Sequence, residues 1–220
     1  MPRLRQVHRA ETDDKLVLFF YDRLFGPDRD PVEQPGTTSG SPGDWWTVFA
    51  LDPAIFKHCV QGFTVYRNVR LDPVLRELGQ TRAGWARGSQ FVFSQHCKQM
   101  RALGVPDEKV QAVACWEVSE LFDQAERAVL AYTDALVLNG GRVHDEVFAA
   151  LKKHLADEQI LELTYTTCLY EMHATMAKAL RLEFDDRDDP IVEVSAPEGY
   201  GTRDIADEVV GPAPPRPPAP

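Results

Sequence analysis

The chain has 220 residues, of which 44% are hydrophobic, and a formal net charge of −10. This length is enough to bury one substantial core. The acidic balance argues against nucleic acid or an anionic membrane as a partner, because both bind clustered Lys and Arg. No segment reaches the roughly 18 apolar residues of a membrane span, and no apolar run follows Arg3 and Arg5 as it would in a signal peptide. The four cysteines lie in apolar helical patterns without metal-type spacing, which favours a reduced cytoplasmic protein that binds no metal.

Apolar residues recur at helical spacing along most of the chain, and this pattern predicts an all-α fold. A first helix is expected at 16–24, closed by Gly26-Pro27, and a loop rich in Gly, Ser, Thr and Pro follows at 34–44. Further helices are predicted at residues 53–67, 71–85, 87–103, 107–119, 123–138, 144–154 and 157–181.

Three regions follow from this pattern. Residues 1–45 form an N-terminal extension with one helix and a flexible loop, and residues 46–182 form a helical domain. Residues 183–220 lose the apolar periodicity and form an irregular tail, which ends in a proline-rich run that favours extended structure.

The last long helix is apolar on several sides, which predicts that it is buried on several sides. One of its faces carries Leu161, Tyr165, Cys168, Met172, Met176 and Ala179. In a chain of this size, such a surplus of apolar surface is most easily buried between subunits, so a homo-oligomer is predicted. The alternative is the central helix of a monomeric bundle.

A carboxylate and an imidazole stand out on two consecutive predicted helices. Glu77 lies at the flank of the apolar stripe of the first, and His96 points with the apolar residues of the second. A half-buried carboxylate beside an imidazole would fix the tautomer of the ring and favour its charged form, giving a group that can donate and accept protons. The simpler interpretations are a hydrogen-bonded core histidine and a solvated glutamate.

These residues belong to an ordered set that resembles a known family. The set comprises Leu-x-Glu-Leu at 75–78, a small residue twelve positions after Glu77, Phe-Val-Phe at 91–93, His96, and Gly-Val at 104–105. Over roughly residues 46–182 the chain is similar to the carboxymuconolactone decarboxylase family, which includes the alkyl hydroperoxidase D proteins. The resemblance implies an alkyl hydroperoxidase D-like helical bundle that assembles as a trimer or hexamer, with the active site near a subunit boundary.

Two departures from the family pattern bear on the activity. The redox branch of the family has a Cys-x-x-Cys pair where this chain has Ser89 and Val92, and neither can act as an attacking or resolving thiol. The decarboxylase branch has an arginine where this chain has Thr175. Arg82 and Arg87, which flank the junction of the two helices, are the candidate replacements for binding an anionic substrate group.

The resemblance implies an enzyme that acts on a small lactone or unsaturated acid by proton transfer or decarboxylation without a cofactor, with His96 and Glu77 as catalytic residues. The alternatives are a thiol peroxidase that uses Cys97 and a non-catalytic oligomeric binding protein. In an apolar helix a charge needs a partner, so Glu171 and His173 are predicted to line the same cavity. The predicted substrate pocket is completed by Ser89, Val92, Phe93, Cys97, Tyr170, Arg82 and Arg87.

Overall fold

The computed structural model describes residues 1–67 and 70–186 of the chain. Contacts group Met1–Arg187 into one compact unit, and the remaining segment, Asp188–Pro220, lies outside the described residues. The predicted irregular tail therefore lies outside them from residue 187 onward, and so does its proline-rich end.

Helices form the regular structure of the described residues, which contain no strand, so the prediction of an all-α fold is confirmed. The α-helices are α1 (Lys15–Phe25), α2 (Asp44–Phe49), α3 (Pro53–Gly62), α4 (Pro73–Ala86), α5 (Gln90–Ala102), α6 (Asp107–Ala112), α7 (Gln124–Val137), α8 (Asp145–Lys152) and α9 (Asp157–Leu180). Short 3₁₀ helices occupy Arg9–Glu11, Phe63–Arg67, Val113–Val118 and Glu183–Asp185. None of the helices in the described ranges combines the length and apolarity needed to cross a membrane.

Aspartates define the start of several helices. The side chains of Asp52 and Asp72 accept hydrogen bonds from free backbone N–H groups in the first turns of α3 and α4. Pro53 and Pro73 follow them at the first helical position, where the missing N–H of proline costs no hydrogen bond. The N-terminus of α4, the helix that carries Glu77, is therefore set by local sequence.

Two long predicted helices are each shorter in the structure. The segment predicted at 107–119 is α6 followed by a 3₁₀ helix, because Cys115 adopts non-helical φ and ψ angles of −131° and 42°. The segment predicted at 53–67 ends as an α-helix at Gly62 and continues as a 3₁₀ helix. The sequence pattern also missed α2, which directly follows the predicted loop.

Helix α4 lies at the centre of the described unit and packs against α5, α7 and α9. Its contact with α5 is close because Gly84 carries no side chain: a Cβ atom there would lie 2.7 Å from the backbone nitrogen of Phe93. Beside this pair, buried aromatic residues of α1, α2 and α3 form a separate apolar cluster that reaches the end of α9. The site described below lies where α2, α5 and α9 meet the 3₁₀ helix that follows α3.

Candidate active site

Glu77 of α4 and His96 of α5 form a buried pair whose side chains lie within hydrogen-bonding distance. Each is 4% exposed, and Nδ1 of His96 lies 2.7 Å from Oε2 of Glu77. Because an ionised carboxylate can only accept hydrogen bonds, Nδ1 carries the proton and donates a hydrogen bond to Glu77. The other ring nitrogen, Nε2, is then left to accept a proton when the ring is neutral and to donate one when it is charged.

The start of α5 is held by polar contacts that orient the histidine. Ser89 is the N-cap residue, and its Oγ accepts a hydrogen bond from the backbone N–H of Val92 at 3.2 Å. The same hydroxyl donates to Asp185 Oδ2 at 2.5 Å, and the backbone N–H of Gln90 donates to Asp185 Oδ1 at 2.6 Å. The segment after α9 therefore anchors the N-terminus of the helix that carries His96.

A cavity of about 240 Å³ borders His96. Its walls come from four elements and are mainly aromatic. They are Trp45 and Trp46 of α2, Phe63 after α3, Phe91, Val92, Gln95, His96 and Gln99 of α5, and Tyr170 and His173 of α9. Since Gln99 is exposed whereas Trp45 and His173 are buried, the opening lies on the Gln99 side and the aromatic walls form the interior.

An aromatic ring of α9 packs against the imidazole of His96. Tyr170 contacts it edge to face, with ring centroids 4.1 Å apart, and the centroid of His173 lies 5.7 Å from that of Tyr170. His173 is 3% exposed, and burial, together with the charge of His96, lowers its pKa to about 4. His173 is therefore neutral at physiological pH.

The structure separates the predicted pocket residues into two groups. Val92, Tyr170 and His173 border the cavity with His96. Ser89 does not border it but caps α5, and Phe93 packs on the other side of α5 with the core of α4 and α7.

Neither arginine proposed as an anion-binding residue borders the cavity. Arg82 is 2% exposed and donates to Asp134, to Glu117 and to two backbone carbonyls, which ties α4 to α7 and to the segment between α6 and α7. Arg87, the C-cap residue of α4, pairs with Glu171. Arg82, Arg87 and Glu171 therefore lie outside the pocket that they were predicted to line.

Cys97 also points away from the cavity. It is buried with Leu78 and Met100, and burial raises the pKa of its thiol to about 11. A thiol in such an apolar environment stays protonated and unreactive. Within the described ranges, no three His, Cys, Asp or Glu side chains come together in a group that could hold a metal ion.

The sequence pattern missed five cavity residues: Trp45, Trp46, Phe63, Gln95 and Gln99. A signal was available for the two glutamines: Gln99 lies three residues after His96 and is its neighbour on the helix surface, and Gln95 lies four residues before Gln99 on the same face. The aromatic residues come from segments that precede α4 in the chain, and nothing in their local sequence indicates that they face α5.

Comparison with known proteins relates part of the chain to a family. The model of the carboxymuconolactone decarboxylase family matches residues 53–135, a range that includes Glu77 and His96. The uncharacterized protein YnjA of Escherichia coli (strain K12) is 29% identical over 147 residues, which are 64% of this chain and 76% of YnjA.

Solved structures share the fold. A protein of unknown function from Agrobacterium tumefaciens, grouped with the antioxidant defence protein AhpD, aligns with a TM-score of 0.58 at 23% identity over 60% of this chain and 92% of that one. A cysteine-to-alanine variant of the debrominase Bmp8 in complex with 2,3,4-tribromopyrrole aligns with a TM-score of 0.63 at 16% identity, over 82% of this chain and 90% of that one. The chain has the AhpD-like helical fold, and residues 53–135 are similar to the carboxymuconolactone decarboxylase family.

Proposed function

We propose that this chain belongs to the carboxymuconolactone decarboxylase and AhpD-like superfamily and is a cofactor-independent enzyme that transfers a proton to or from carbon in a small unsaturated lactone or acid. The observation that carries the proposal is the buried contact of 2.7 Å between His96 and Glu77 at the edge of an aromatic cavity. An imidazole held in one tautomer at the wall of a cavity is suited to general acid–base catalysis.

The contact with Glu77 supports the following chemical step. With Nδ1 donating to the carboxylate, Nε2 of neutral His96 removes a proton from a carbon next to the conjugated system, and the electron pair of the broken C–H bond becomes a dienolate. The imidazolium then returns the proton to another carbon, and Glu77 balances its positive charge in between. In a decarboxylation the dienolate forms instead as carbon dioxide leaves, and the imidazolium supplies the proton.

Thiol peroxidase chemistry has less support in this geometry. Peroxide reduction starts from a thiolate that the peroxide can reach. Cys97 is buried outside the cavity with a raised pKa, and Ser89 and Val92 hold the positions of the family's thiol pair. None of the four cysteines borders the cavity.

Hydrogen exchange tests the proposal without knowledge of the natural substrate. The protein is incubated in D₂O with 2(5H)-furanone and a panel of other unsaturated lactones, and deuterium incorporation at the ring carbons is followed by NMR. Unsaturated acids are assayed in parallel for release of carbon dioxide. We expect the wild-type protein to accelerate exchange, His96→Asn to lower the rate about 10²-fold or more, and Glu77→Gln to lower it less.

His58→Asn is the matched control, because His58 is an exposed histidine on α3. The exchange rate of His58→Asn is expected to equal that of the wild type, because only His96 transfers the proton. Equal exchange by the wild type and His96→Asn would contradict the proposal. Consumption of cumene hydroperoxide that depends on Cys97 would instead favour the peroxidase alternative.

A further inference from the structure

The proposed step leaves one buried polar group of the cavity without a role. His173 borders the cavity and is 3% exposed, yet its Nε2 has no hydrogen-bond partner among the described residues. Leaving a buried polar atom unpaired is costly. Such an atom in a residue at the wall of a mainly aromatic cavity indicates that a ligand supplies the missing partner.

The charge of the cavity wall restricts that ligand. The described residues that line the cavity include no Lys, Arg, Asp or Glu. The positive charge that His96 carries when it is protonated faces the Glu77 carboxylate, which also pairs with Arg76 at 3.5 Å, and Arg76 does not border the cavity. Moving an ionised carboxylate from water into such a site is costly without a cation to pair with it. Arg82 and Arg87 are engaged elsewhere with Asp134 and Glu171.

The size and shape of the cavity restrict the ligand further. An apolar cavity of about 150 Å³ holds one benzene molecule, so about 240 Å³ accommodates a single ring with one or two small substituents. Trp45 and Phe63 each have their ring centroid 5.5 Å from that of His173, and Tyr170 adds a further flat wall. Walls of this kind favour a planar, unsaturated ring.

His173 itself remains uncharged, since burial and the charge of His96 lower its pKa to about 4. A neutral imidazole can donate one hydrogen bond or accept one, but it supplies no charge to neutralise an anion. Its chemistry therefore complements an uncharged polar group, such as a ring carbonyl, and not a carboxylate.

We propose that His173 is the recognition residue of this cavity and that the ligand is an uncharged planar ring whose single polar group, a lactone carbonyl in the simplest case, forms a hydrogen bond with Nε2 of His173. The identification of the ligand as a substrate rests on the proposed proton transfer, whereas the binding itself does not.

This ligand class narrows the reaction. A decarboxylation substrate must enter with a carboxylate group, for which the cavity has no counter-charge. An uncharged unsaturated lactone instead allows a proton shift within the ring. His96 removes a proton from a ring carbon, the electron pair moves toward the carbonyl oxygen held by His173, and the same proton returns at a different carbon. No carbon–carbon bond breaks, no carbon dioxide is released, and no electron acceptor is required.

Equilibrium binding to the full chain tests the charge selectivity without any substitution. Quenching of the fluorescence of Trp45 and Trp46 reports occupancy, and titration calorimetry confirms it. Benzamide and benzoate form a matched pair, because they have the same planar size and differ in charge. At pH 7.5 we expect benzamide and 2(5H)-furanone to bind at least about tenfold more tightly than benzoate. Equal or tighter binding of benzoate overturns the proposal.

The variant His173→Phe tests the recognition role, because it keeps an aromatic ring in the wall and removes the hydrogen bond. Its affinity for 2(5H)-furanone is expected to fall about tenfold, while its affinity for toluene, which has no polar group, stays the same or rises. A residue that only fills space would change both affinities together, and that result overturns the proposal. His58→Phe, at an exposed position, is the control and alters neither affinity.

These results are separable from the fate of the proposed reaction. If binding depends on His173 but no hydrogen exchange occurs in D₂O, the proton-transfer function is wrong and the proposed ligand class is retained. If exchange requires His96 but furanone binding is unchanged in His173→Phe, the recognition role of His173 is wrong and the proton-transfer function stands.

Discussion

The carboxyl group of Glu183 accepts hydrogen bonds from the backbone N–H groups of Gly43 and Trp45, at 2.9 and 3.0 Å, and so caps helix α2. Its neighbour Asp44 adds a second carboxyl group to this buried site. Burial, reinforced by Asp44, raises the pKa of Glu183 to about 7.

The raised pKa of Glu183 predicts a pH dependence of stability. Folding shifts this pKa from 4.5 to about 7, so the folded state binds more protons than the unfolded state between those values. The free energy of unfolding must then fall as pH rises through this window. We expect Glu183→Gln to remove this contribution, on the order of 3 kcal/mol, as measured by urea unfolding between pH 4.5 and 8.

The slope with pH, and not the absolute stability, is the quantity to compare. The amide introduced by Glu183→Gln has a single oxygen and keeps only one of the two backbone contacts, so the variant is expected to be less stable overall. His173 has a lowered pKa and contributes the opposite slope between about 4 and 6.5, which is common to wild type and variant. Glu146→Gln, at an exposed site in α8, is the control. Parallel curves for wild type and Glu183→Gln would show that Glu183 titrates normally.

Some site residues could be identified from local sequence and others could not. Glu77 and His96 lie on predicted helices at positions that a helical wheel and the family resemblance both select. The placement of Arg82 depends on Asp134, which is 52 residues away in the chain, so no local pattern indicates that its charge is already satisfied. Ser89 was predicted to line the pocket because of its position relative to the family motif, and its role as an N-cap was therefore missed.

At the scale of elements, the site depends on the pairing of α4 with α5. Gly84 allows this pairing, because a Cβ atom there would lie 2.7 Å from the backbone nitrogen of Phe93 and 2.9 Å from Cγ1 of Val92. Val92 precedes His96 by one helical turn on the same face of α5. Any displacement of α5 at Gly84 is therefore transmitted to the contact between His96 and Glu77.

We predict that Gly84→Ala lowers the free energy of unfolding by about 1–3 kcal/mol, because backbone atoms must move to admit the methyl group. Hydrogen exchange catalysed by His96 is expected to slow as well, since the helix that carries it shifts. Gly62→Ala is the matched control: the nearest atoms to its added Cβ belong to Leu169 at 3.4 Å, an ordinary contact. Chemical denaturation of the two variants measures the difference, and equal stability of both would contradict the close approach of α4 and α5.

The helices that local sequence identified best are those that carry their own start signals. Asp72-Pro73 before α4 and Asp52-Pro53 before α3 are examples. Helix α2 has only six residues and begins after Gly43, and its first N–H groups are satisfied by Glu183, 140 residues away from Gly43. No local pattern could reveal this helix, and with it the two tryptophans of the cavity wall were missed.

For the whole molecule, one apolar face of α9 has no covering element within the described residues. Leu161, Tyr165 and Met172 are 70%, 45% and 38% exposed, and Cys168 lies among them on the same face and is also exposed. A groove beside Leu161 and Tyr165 is bordered by Arg70 and Glu158. In a two-fold contact a patch meets its own copy, so any charges at its border must be of both signs to pair across the contact. Arg70 and Glu158 meet this requirement, and a second copy of the chain is the partner that we propose for this face.

We therefore predict an assembly with an even number of copies, held by contacts between α9 helices, which favours a hexamer over a trimer. Leu161→Glu places a charge in the contact and is expected to shift the mass measured by light scattering toward that of one chain. Leu138→Glu, at another exposed leucine, is the control and keeps the assembly intact. Alkylation provides a second measure: Cys168 should react slowly in the wild type and faster in Leu161→Glu, whereas exposed Cys115 reacts equally in both. A wild-type protein with the mass of one chain, or with an odd number of copies, would rule out the two-fold contact, because its geometry pairs every copy with another.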